Sequence, residues 1–509
     1  MTSPASRRRP LADTALDLLE RAGNGLPHPV TLFFLCASTV LVASSVLDAI
    51  GFRAVHPGTG QEIGVVNLLS GDGIRRILTG MVDNFTSFVP LGTVLVALLG
   101  VGVAEGSGLI SAVLRAVVLA APRRLVTAVV VFAGIASNAA SDVGYVVLIP
   151  LGAMVFQAFG RHPLAGLAAA FAGVSGGFSA NVILGTIDPL LAGITQEMAM
   201  IIDASYRVSP AANYYFMIAS TGLLVVIGTL VTERIVEPRL RRYGSGDERP
   251  TIQPLMPAER RALLVSALAM VAAIGVVALL VIPEGAVLRD PTTGGLLHSP
   301  FLEGIVPIML VLFLVPGVTY GLMVRVFTSD AKVVGAMVTS MNTMGSYIVL
   351  VFFAAQFVAF FNWTKIGLIT AIKGAELFQS IGLEGLPLIL VFVLVAAVIN
   401  LLVGSASAKW AIIAPIFVPM FMLLGISPEL TQAAYRVGDS VTNLITPMMS
   451  YFAMILTFAQ RYDTRVGLGT LIATMMPYTV AFLLGWMVLL CVWVLVGLPL
   501  GPGAPLFLP

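Results

Sequence analysis

Polar residues interrupt an apolar stretch near the C-terminal end of the chain. The segment AAYRVGDSVTNLITPMMSYFAMIL (433–456) contains Arg436, Asp439, Asn443 and Pro447. The first three recur at intervals of three and four residues, so they share one face of a helix. A charge at the centre of a bilayer costs at least about 2.5–3.5 kcal/mol, and charges are therefore placed there for a function or for a partner.

These residues support two interpretations. In the first, Arg436 binds an anionic group of a substrate, and Asp439 orients Arg436 or binds a coupling cation or proton. In the second, the two side chains form a structural ion pair that holds a broken helix together. The sequence alone leaves both open.

The composition is that of a membrane protein. Of 509 residues, 58% are hydrophobic and 11% are charged, whereas soluble domains carry about 25% charged residues. Four scattered histidines and no nucleophile motif predict neither an enzyme nor a metal cluster. The net charge of +2 says nothing about nucleic acid. We expect membrane lipid and a small molecule as partners, and no nucleic acid.

The apolar runs predict an all-α, polytopic fold. A cytoplasmic N-terminus gives the expected excess of Lys and Arg on the inner links. We predict a tail at 1–29, a first half at 30–235, a linker at 236–261, a second half at 262–500 and a tail at 501–509. The predicted crossings number nine, at about 30–50, 85–121, 164–202, 214–234, 262–282, 302–324, 334–361, 430–459 and 468–497.

Two further apolar segments are interrupted by small polar residues. The first hairpin segment, about 125–159, is broken at SNAASD, and the second, about 386–424, is broken at GSASAK. We predict two re-entrant hairpins, because non-helical backbone at this depth must be buried in protein or line a wet cavity. The alternative is two pairs of full spans with polar loops.

The order of these features repeats. Each hairpin segment is followed by a helix that glycine, serine, asparagine and proline interrupt, at about 164–202 and 430–459. Pro150 and Pro163 lie 13 residues apart, as do Pro415 and Pro428. Since the hairpins enter from opposite sides, the halves form an inverted repeat, and broken segments in such repeats indicate a transporter binding site.

The first repeat supplies candidate cation ligands. Asp188 lies at the break of the first broken helix, has no basic neighbour in sequence and is followed by a proline. It is either part of a Na⁺ or H⁺ site with Asn181, or a cap of the second half-helix. Asn138 and Asp142, at the first hairpin tip, are further candidate ligands.

The second hairpin tip supplies further candidates. Asn400 is a neutral oxygen ligand for a cation, so Na⁺ is considered at Asp188 and Asn400. Ser407 offers a hydroxyl group, and Trp410 offers either a face for an aromatic ring or an interfacial anchor. Glu105 and Lys409 are interpreted as cavity-lining or paired residues and receive no specific role.

Four motifs resemble those of the AbgT family, the p-aminobenzoyl-glutamate transporters. They are SNAASDVGYVVLIPLGAMVF, AGVSGGFSANVILGTIDPLLAG, GSASAKWAIIAPIFVPM and YRVGDSVTNLITPMM. The resemblance implies a homodimer of nine-helix protomers, each with two re-entrant hairpins, working as an elevator-type carrier in a bacterial inner membrane. The family's functional positions fall on Asp188, Asn400, Ser407, Trp410, Pro428, Arg436, Asp439 and Pro447.

The resemblance also implies the cargo. The expected function is secondary active transport of p-aminobenzoyl-glutamate-like aromatic carboxylates, coupled to Na⁺ or H⁺ and without another cofactor. The first alternative is export of sulfonamide antimetabolites, and an alternative of another class is a gated ion channel. The direction of transport stays open.

Overall fold

The computed structural model describes residues 27–55, 60–140, 143–240, 255–296, 299–449 and 451–508. The chain begins with α1 and a small antiparallel sheet of β1 and β2, followed by the helices of the first half. Their bounds are α1 Pro29–Ala49, β1 Arg53–Val55, β2 Glu62–Gly64, α2 Gly71–Thr86, α3 Val89–Gly106, α4 Leu109–Leu119, α5 Val126–Ser137, α6 Ile149–Ala158, α7 Pro163–Phe171, α8 Ile187–Ala199 and α9 Tyr214–Val231.

The second half is also helical. Its helices are α10 Pro257–Val281, α11 Ile305–Met323, α12 Asp330–Asn342, α13 Gly345–Trp363, α14 Ile366–Ser380, α15 Gly385–Asn400, α16 Ala406–Leu423, α17 Pro428–Thr442, α18 Phe452–Gln460 and α19 Leu468–Val496. Short helical turns extend or precede some of them, at Asn138–Ala140, Gly144–Leu148, Ala172–Gly176, Thr232–Val236, Glu237–Arg239 and Pro300–Glu303.

Several helices have the length and composition of membrane spans. Among the residues just described, eight qualify, or nine if the pair α14 and α15, bent by 117°, counts as one span. The multi-pass membrane prediction is therefore confirmed, while the count of nine stays a prediction. Two predicted crossings differ. The crossing expected at 85–121 is found as α2 and α3, Gly71–Gly106, with α4 as a separate short helix. The crossing expected at 334–361 is divided between α12 and α13, of which α13 alone is long and apolar enough to span.

Both hairpin segments break near the predicted residues. The first consists of α5 and α6, with α5 ending at Ser137, and the second consists of α15 and α16 with a non-helical link at residues 401–405. Their re-entrant course stays a prediction, since α16, with 18 residues, is itself long and apolar enough to span.

Both broken helices are interrupted as well. α7 continues through Ala172–Gly176 and then unwinds until α8 begins at Ile187, whereas α17 ends at Thr442 and α18 begins only at Phe452. The helices around these breaks pack closely through glycine. A Cβ atom on Gly438 would lie 2.4 Å from the carbonyl oxygen of Val393, so only glycine permits this contact between α17 and α15.

An ion-pair cluster fastens the base of the first hairpin segment to the end of α9. Arg161 lies 2.5 Å from Glu237 and 3.5 Å from Glu233. Its guanidinium also donates to the Thr127 hydroxyl at 2.7 Å, and that hydroxyl donates to Glu233 at 2.7 Å. The link between α6 and α7 is therefore anchored to α9 by charge-assisted hydrogen bonds.

The C-terminal segment covers the start of α17. The Ser427 amide donates to the Leu506 carbonyl at 3.1 Å, and the Leu508 amide donates to the Gly425 carbonyl at 2.8 Å. The Tyr215 amide donates to the Leu500 carbonyl at 2.9 Å. Residues 500–508 therefore join the entrance of α17 to the start of α9.

Candidate functional site

α17 is a polar helix at the centre of the protein. All 15 of its residues are buried, Arg436 and Asp439 among them. Ser427 caps its first turn by accepting a hydrogen bond from the Leu430 amide, and Pro428 occupies the first helical position. Because the charged side chains of α17 are buried away from water, neighbouring segments must supply their partners.

Arg436 is paired with Asp188 across the two halves. Its Nη1 lies 2.7 Å from Asp188 Oδ1, and the two side chains are 4% and 1% exposed. The other guanidinium nitrogen, Nη2, donates to the Ser179 carbonyl at 3.4 Å. The second carboxylate oxygen of Asp188 accepts the Gly185 amide at 2.6 Å. The contact therefore bridges α17 and the break before α8.

Asp439 is paired with Lys409 of the second hairpin segment. The ammonium nitrogen lies 2.6 Å from Asp439 Oδ1, and each side chain is 1% exposed. Asn400 Oδ1 also accepts a short hydrogen bond from Lys409. The Tyr435 hydroxyl lies 3.2 Å from Asp439 Oδ1 and donates to the Ala406 carbonyl at 2.6 Å.

These pairs correct two expectations. The Arg436–Asp439 pair that their spacing suggests is replaced by two pairs with other segments, and Asp188 is paired although no basic residue is near it in sequence. Residues 248 positions apart form the Arg436–Asp188 contact, which single-sequence spacing cannot reveal. Lys409, interpreted from the sequence as a cavity-lining or paired residue, is half of the second pair.

Asp188 is not the N-cap of α8. Thr186 occupies that position, and Asp188 follows in the first turn. Its carboxylate nevertheless satisfies a backbone amide near the helix start, that of Gly185. A negative charge there is favoured by the helix dipole. Its role as a cation ligand stays a prediction.

Asn400 lies at the centre of the polar contacts near the second hairpin tip. Its amide nitrogen is within hydrogen-bond distance of the Asp439 carbonyl, of Thr442 Oγ1 at 2.8 Å and of Asn443 Oδ1 at 2.9 Å. Asn443 in turn donates to the Ser175 carbonyl at 3.5 Å. The oxygen that we expected to bind a cation accepts the Lys409 ammonium in this structure.

Trp410 is enclosed by protein. It is 0% exposed, and its ring stacks on Tyr435 with centroids 4.5 Å apart and an angle of 26°. Its indole nitrogen donates to Thr195 Oγ1 at 2.9 Å. The face that we expected to meet an aromatic ring is covered by Tyr435 here, and stacking on a substrate stays a prediction.

The candidate ligands of the first repeat are brought together in part. Asn138 donates to the Ile135 carbonyl at 3.2 Å and to the Val174 carbonyl at 2.9 Å, and Asn181 reaches the same Ile135 carbonyl at 3.4 Å. Among the described residues, Asn138 Oδ1 is buried and has no hydrogen-bond partner. Asp142 lies outside the described residues.

The remaining predicted residues mark the ends of helices. The Ser407 hydroxyl, in the first turn of α16, is 3.3 Å from that of Ser405. Pro428 starts α17, and Pro447 lies in the irregular link between α17 and α18. No group of three or more His, Cys, Asp or Glu that could bind a metal is found in the ranges that the structure describes.

A cavity of about 600 Å³ lies between the second hairpin tip and the end of α17. This size suits a drug-sized ligand. Tyr145 and Tyr451, both in its wall, stack with centroids 4.6 Å apart and an angle of 13°. Its lining comprises Pro27, His28, Pro29, Leu32, Tyr145, Phe178, Leu402, Val403, Gly404, Ser405, Ala406, Ala408, Ile412, Asn443, Met448, Met449 and Tyr451.

Of the predicted substrate residues, only Asn443 reaches this lining. Ser407, Trp410, Arg436 and Asp439 do not line it. The wall residues Met448, Met449 and Tyr451 lie within the segment 433–456, and the sequence analysis did not single them out.

A second cavity, of about 630 Å³, lies between α3 and α12. Glu105, Lys332, Thr339 and Ser340 are among the residues that line it. It contains none of the predicted site residues and touches neither hairpin segment. We therefore take the first cavity as the candidate substrate site.

Known proteins match nearly the whole chain. The AbgT putative transporter family matches residues 14–508. The p-aminobenzoyl-glutamate transport protein of Escherichia coli (strain K12) is 39% identical over 486 residues, which cover 95% of each chain.

Two solved structures have the same fold over almost the full length. The Alcanivorax borkumensis YdaH transporter, described as having an unusual topology, has a TM-score of 0.90 and 48% identity, covering 94% of this chain and 100% of that one. Neisseria gonorrhoeae MtrF, which illuminates a class of antimetabolite efflux pumps, has a TM-score of 0.90 and 51% identity, covering 96% and 100%.

Proposed function

Because the chain belongs to the AbgT family of transporters, we propose that it is a secondary active carrier of p-aminobenzoyl-glutamate-like aromatic carboxylates, coupled to Na⁺ or H⁺. One observation carries the proposal: a ligand-sized cavity lies at the second hairpin tip and the end of α17, next to two buried ion pairs. The E. coli relative is a p-aminobenzoyl-glutamate transport protein.

The cavity wall suits both ends of such a molecule. Tyr145, Phe178 and Tyr451 offer apolar and aromatic surface to an aminobenzoyl ring. Ser405 and the start of α16 lie in the same wall. An 18-residue helix attracts carboxylates to its N-terminus through its free amides and its dipole.

The ion pairs supply a means of coupling. Each ion pair joins two separate segments. If one charged residue of a pair takes a different partner, the contact between the two segments changes. An entering cation, or protonation of Asp188 or Asp439, would release Arg436 or Lys409 to a carboxylate of the substrate. This proposal keeps the substrate role of Arg436 and Asp439 and the cation role of Asp188 and Asn400.

The proposed setting is the bacterial inner membrane, with a cytoplasmic N-terminus and a homodimer that works by an elevator-type movement. The membrane setting and the homodimer are supported by α10, an apolar helix of 25 residues of which three are buried. Its surface is therefore open to lipid or to a second copy of the chain. The two hairpin segments, taken as re-entrant, would move with α7, α8, α17 and α18.

Export of sulfonamide antimetabolites is the second candidate. It is favoured by the 51% identity to MtrF and by the position of Arg436, which is engaged with Asp188 and does not line the cavity. A ligand without the dicarboxylate needs no guanidinium, and the aromatic wall would bind its para-aminophenyl group.

Uptake into proteoliposomes tests the proposal. Labelled p-aminobenzoyl-glutamate should accumulate under a Na⁺ or pH gradient, and an excess of a sulfonamide should compete if the ring end shares the site. Asp439→Ala, which removes the partner of Lys409, is the matched inactive variant. Flux that is unaffected by either gradient would indicate a channel and remove the carrier proposal.

A further inference from the structure

One buried acid remains outside the two ion pairs. Among the residues that the structure describes, five acidic or basic side chains are buried, namely Asp188, Lys409, Glu429, Arg436 and Asp439. Four of them form the pairs described above. Glu429 is 2% exposed, and no Lys, Arg or His of the described chain forms an ion pair with it.

The partners of Glu429 are neutral. Its Oε2 lies 2.9 Å from the Tyr206 hydroxyl, which donates to it. Its carbonyl oxygen accepts the Asn213 side-chain amide at 2.9 Å. Asp203 and Arg207 flank Tyr206 in the same loop, but their side-chain contacts are to Ser205 and to the Ala204 and Tyr206 carbonyls.

Other ionisable groups near α17 are engaged elsewhere. On α8, Asp188 is bound by Arg436, and Glu197 accepts the Val89 amide at 3.5 Å. On α16, Lys409 is bound by Asp439. On α19, the Tyr478 hydroxyl pairs with Thr232 at 2.6 Å. None of these contacts brings a positive charge to Glu429.

A buried carboxylate without a cation is unfavourable, and binding a proton removes the charge. The start of α17 compensates with its partial positive dipole and with hydrogen bonds from neutral groups such as Tyr206, and it supplies no full positive charge. We propose that Glu429 is a proton-binding residue of the transport cycle: its carboxyl is protonated in this state and releases the proton to water when the cover of the helix start opens.

The position of Glu429 fits this role. It lies ten residues before Asp439, which is about 15 Å along the helix axis at about 1.5 Å per residue. The substrate cavity meets the other end of α17, at Asn443. The C-terminal segment and the Tyr206 loop cover the Glu429 end. The two ends of one helix would thus serve the proton and the substrate separately.

Hydrogen bonds and one ring stack connect the Glu429 backbone to the Lys409–Asp439 pair. Asn213 joins the Glu429 carbonyl to Gln432, and Gln432 accepts from Thr195 at 2.5 Å. Thr195 then accepts from the indole of Trp410, which stacks on Tyr435 beside Asp439. Opening the helix start to release the proton would therefore disturb the partners of Asp439.

This inference rests on the proposed carrier function, and the test separates the two. Proteoliposomes with wild type, Glu429→Gln and Glu376→Gln are compared in two assays. The first is accumulation driven by a pH gradient, and the second is counterflow of labelled against unlabelled p-aminobenzoyl-glutamate without a gradient. Glu376 is an exposed acid paired with Lys373 at 3.1 Å and is the control.

One proton per cycle allows up to about tenfold accumulation per unit of pH gradient. Glu429→Gln keeps the shape and a hydrogen-bond acceptor for Tyr206, so we expect counterflow within about twofold of wild type and no gradient-driven accumulation. Glu376→Gln should match wild type in both assays. Wild-type accumulation by Glu429→Gln, or wild-type transport that ignores pH, overturns the inference. Failure of wild-type counterflow overturns the proposed function, and this inference with it.

A second measurement does not depend on the variant folding. Infrared spectra of the purified wild type should contain the carbonyl band of a protonated carboxyl that is protected from water. The band should be lost at high pH once the cover opens and should be absent from Glu429→Gln if that variant folds. Absence of the band from the wild type at neutral pH overturns the inference.

Discussion

Removing the charge of Asp439 should destabilise the protein through Lys409. The two charged atoms are 2.6 Å apart and both side chains are 1% exposed. At an effective dielectric constant of about 20, their attraction is about 6 kcal/mol before the cost of desolvation. Asp439→Asn leaves the ammonium buried without a counter-charge, so we expect a loss of about 3–5 kcal/mol in the free energy of unfolding.

Combining Lys409→Met with Asp439→Asn measures the interaction energy between the two residues. Lys409→Met alone leaves Asp439 unpaired and should cost about as much as Asp439→Asn. The two changes together remove both charges. The free energy of unfolding should then fall by about 1–3 kcal/mol, because Asn400 Oδ1 no longer accepts a hydrogen bond from the Lys409 ammonium. The losses in the free energy of unfolding of the two single variants should therefore not add up to that of the double variant.

The assay is denaturant unfolding in detergent micelles, with transport measured on the same preparations. All three variants should fail to transport, because the coupling proposed above needs both charges. If the losses simply add, or if Asp439→Asn unfolds like the wild type, the buried pair does not exist as described.

Three further predictions concern other contacts. Arg436→Ala should abolish uptake in a protein that still elutes as a folded species, whereas Asp188→Asn should chiefly reduce the response to Na⁺ or pH; misassembly of both would favour a purely structural pair. Gly438→Val should prevent folding, because its Cβ meets the Val393 carbonyl at 2.4 Å, whereas Gly275→Ala, with nothing within 4 Å, should elute like wild type on size-exclusion chromatography. Arg161→Met should cost about 1–3 kcal/mol in denaturant unfolding, because it removes hydrogen bonds to a carboxylate; an unchanged unfolding midpoint would contradict this.

The sequence predicted the features that depend on local composition. Length and apolarity indicated the membrane helices, and small polar runs marked the interruptions after Ser137 and Asn400. The four motifs predicted the family, which the matches confirm. Helix boundaries such as that of α3 were harder, because only Ser107 and Gly108 separate α3 from the apolar helix α4.

Pairing between distant segments could not be predicted. Asp439 is three residues from Arg436, yet each finds its partner on another segment, and the partner of Arg436 is 248 residues away. Spacing on one helix says nothing about which charge a neighbouring helix brings. Trp410 shows the same limit, since no pattern in the sequence indicated that Tyr435 would cover its ring.

Protection from labelling tests most directly whether the cavity at the second hairpin tip binds the cargo. Met448→Cys, in the wall of this cavity, and Thr339→Cys, in the wall of the second cavity, are made with Cys36 and Cys491 replaced by alanine. Saturating p-aminobenzoyl-glutamate should slow maleimide labelling at 448 and leave labelling at 339 unchanged. Equal labelling at 448 with and without a substrate that the same variant still transports would contradict the account.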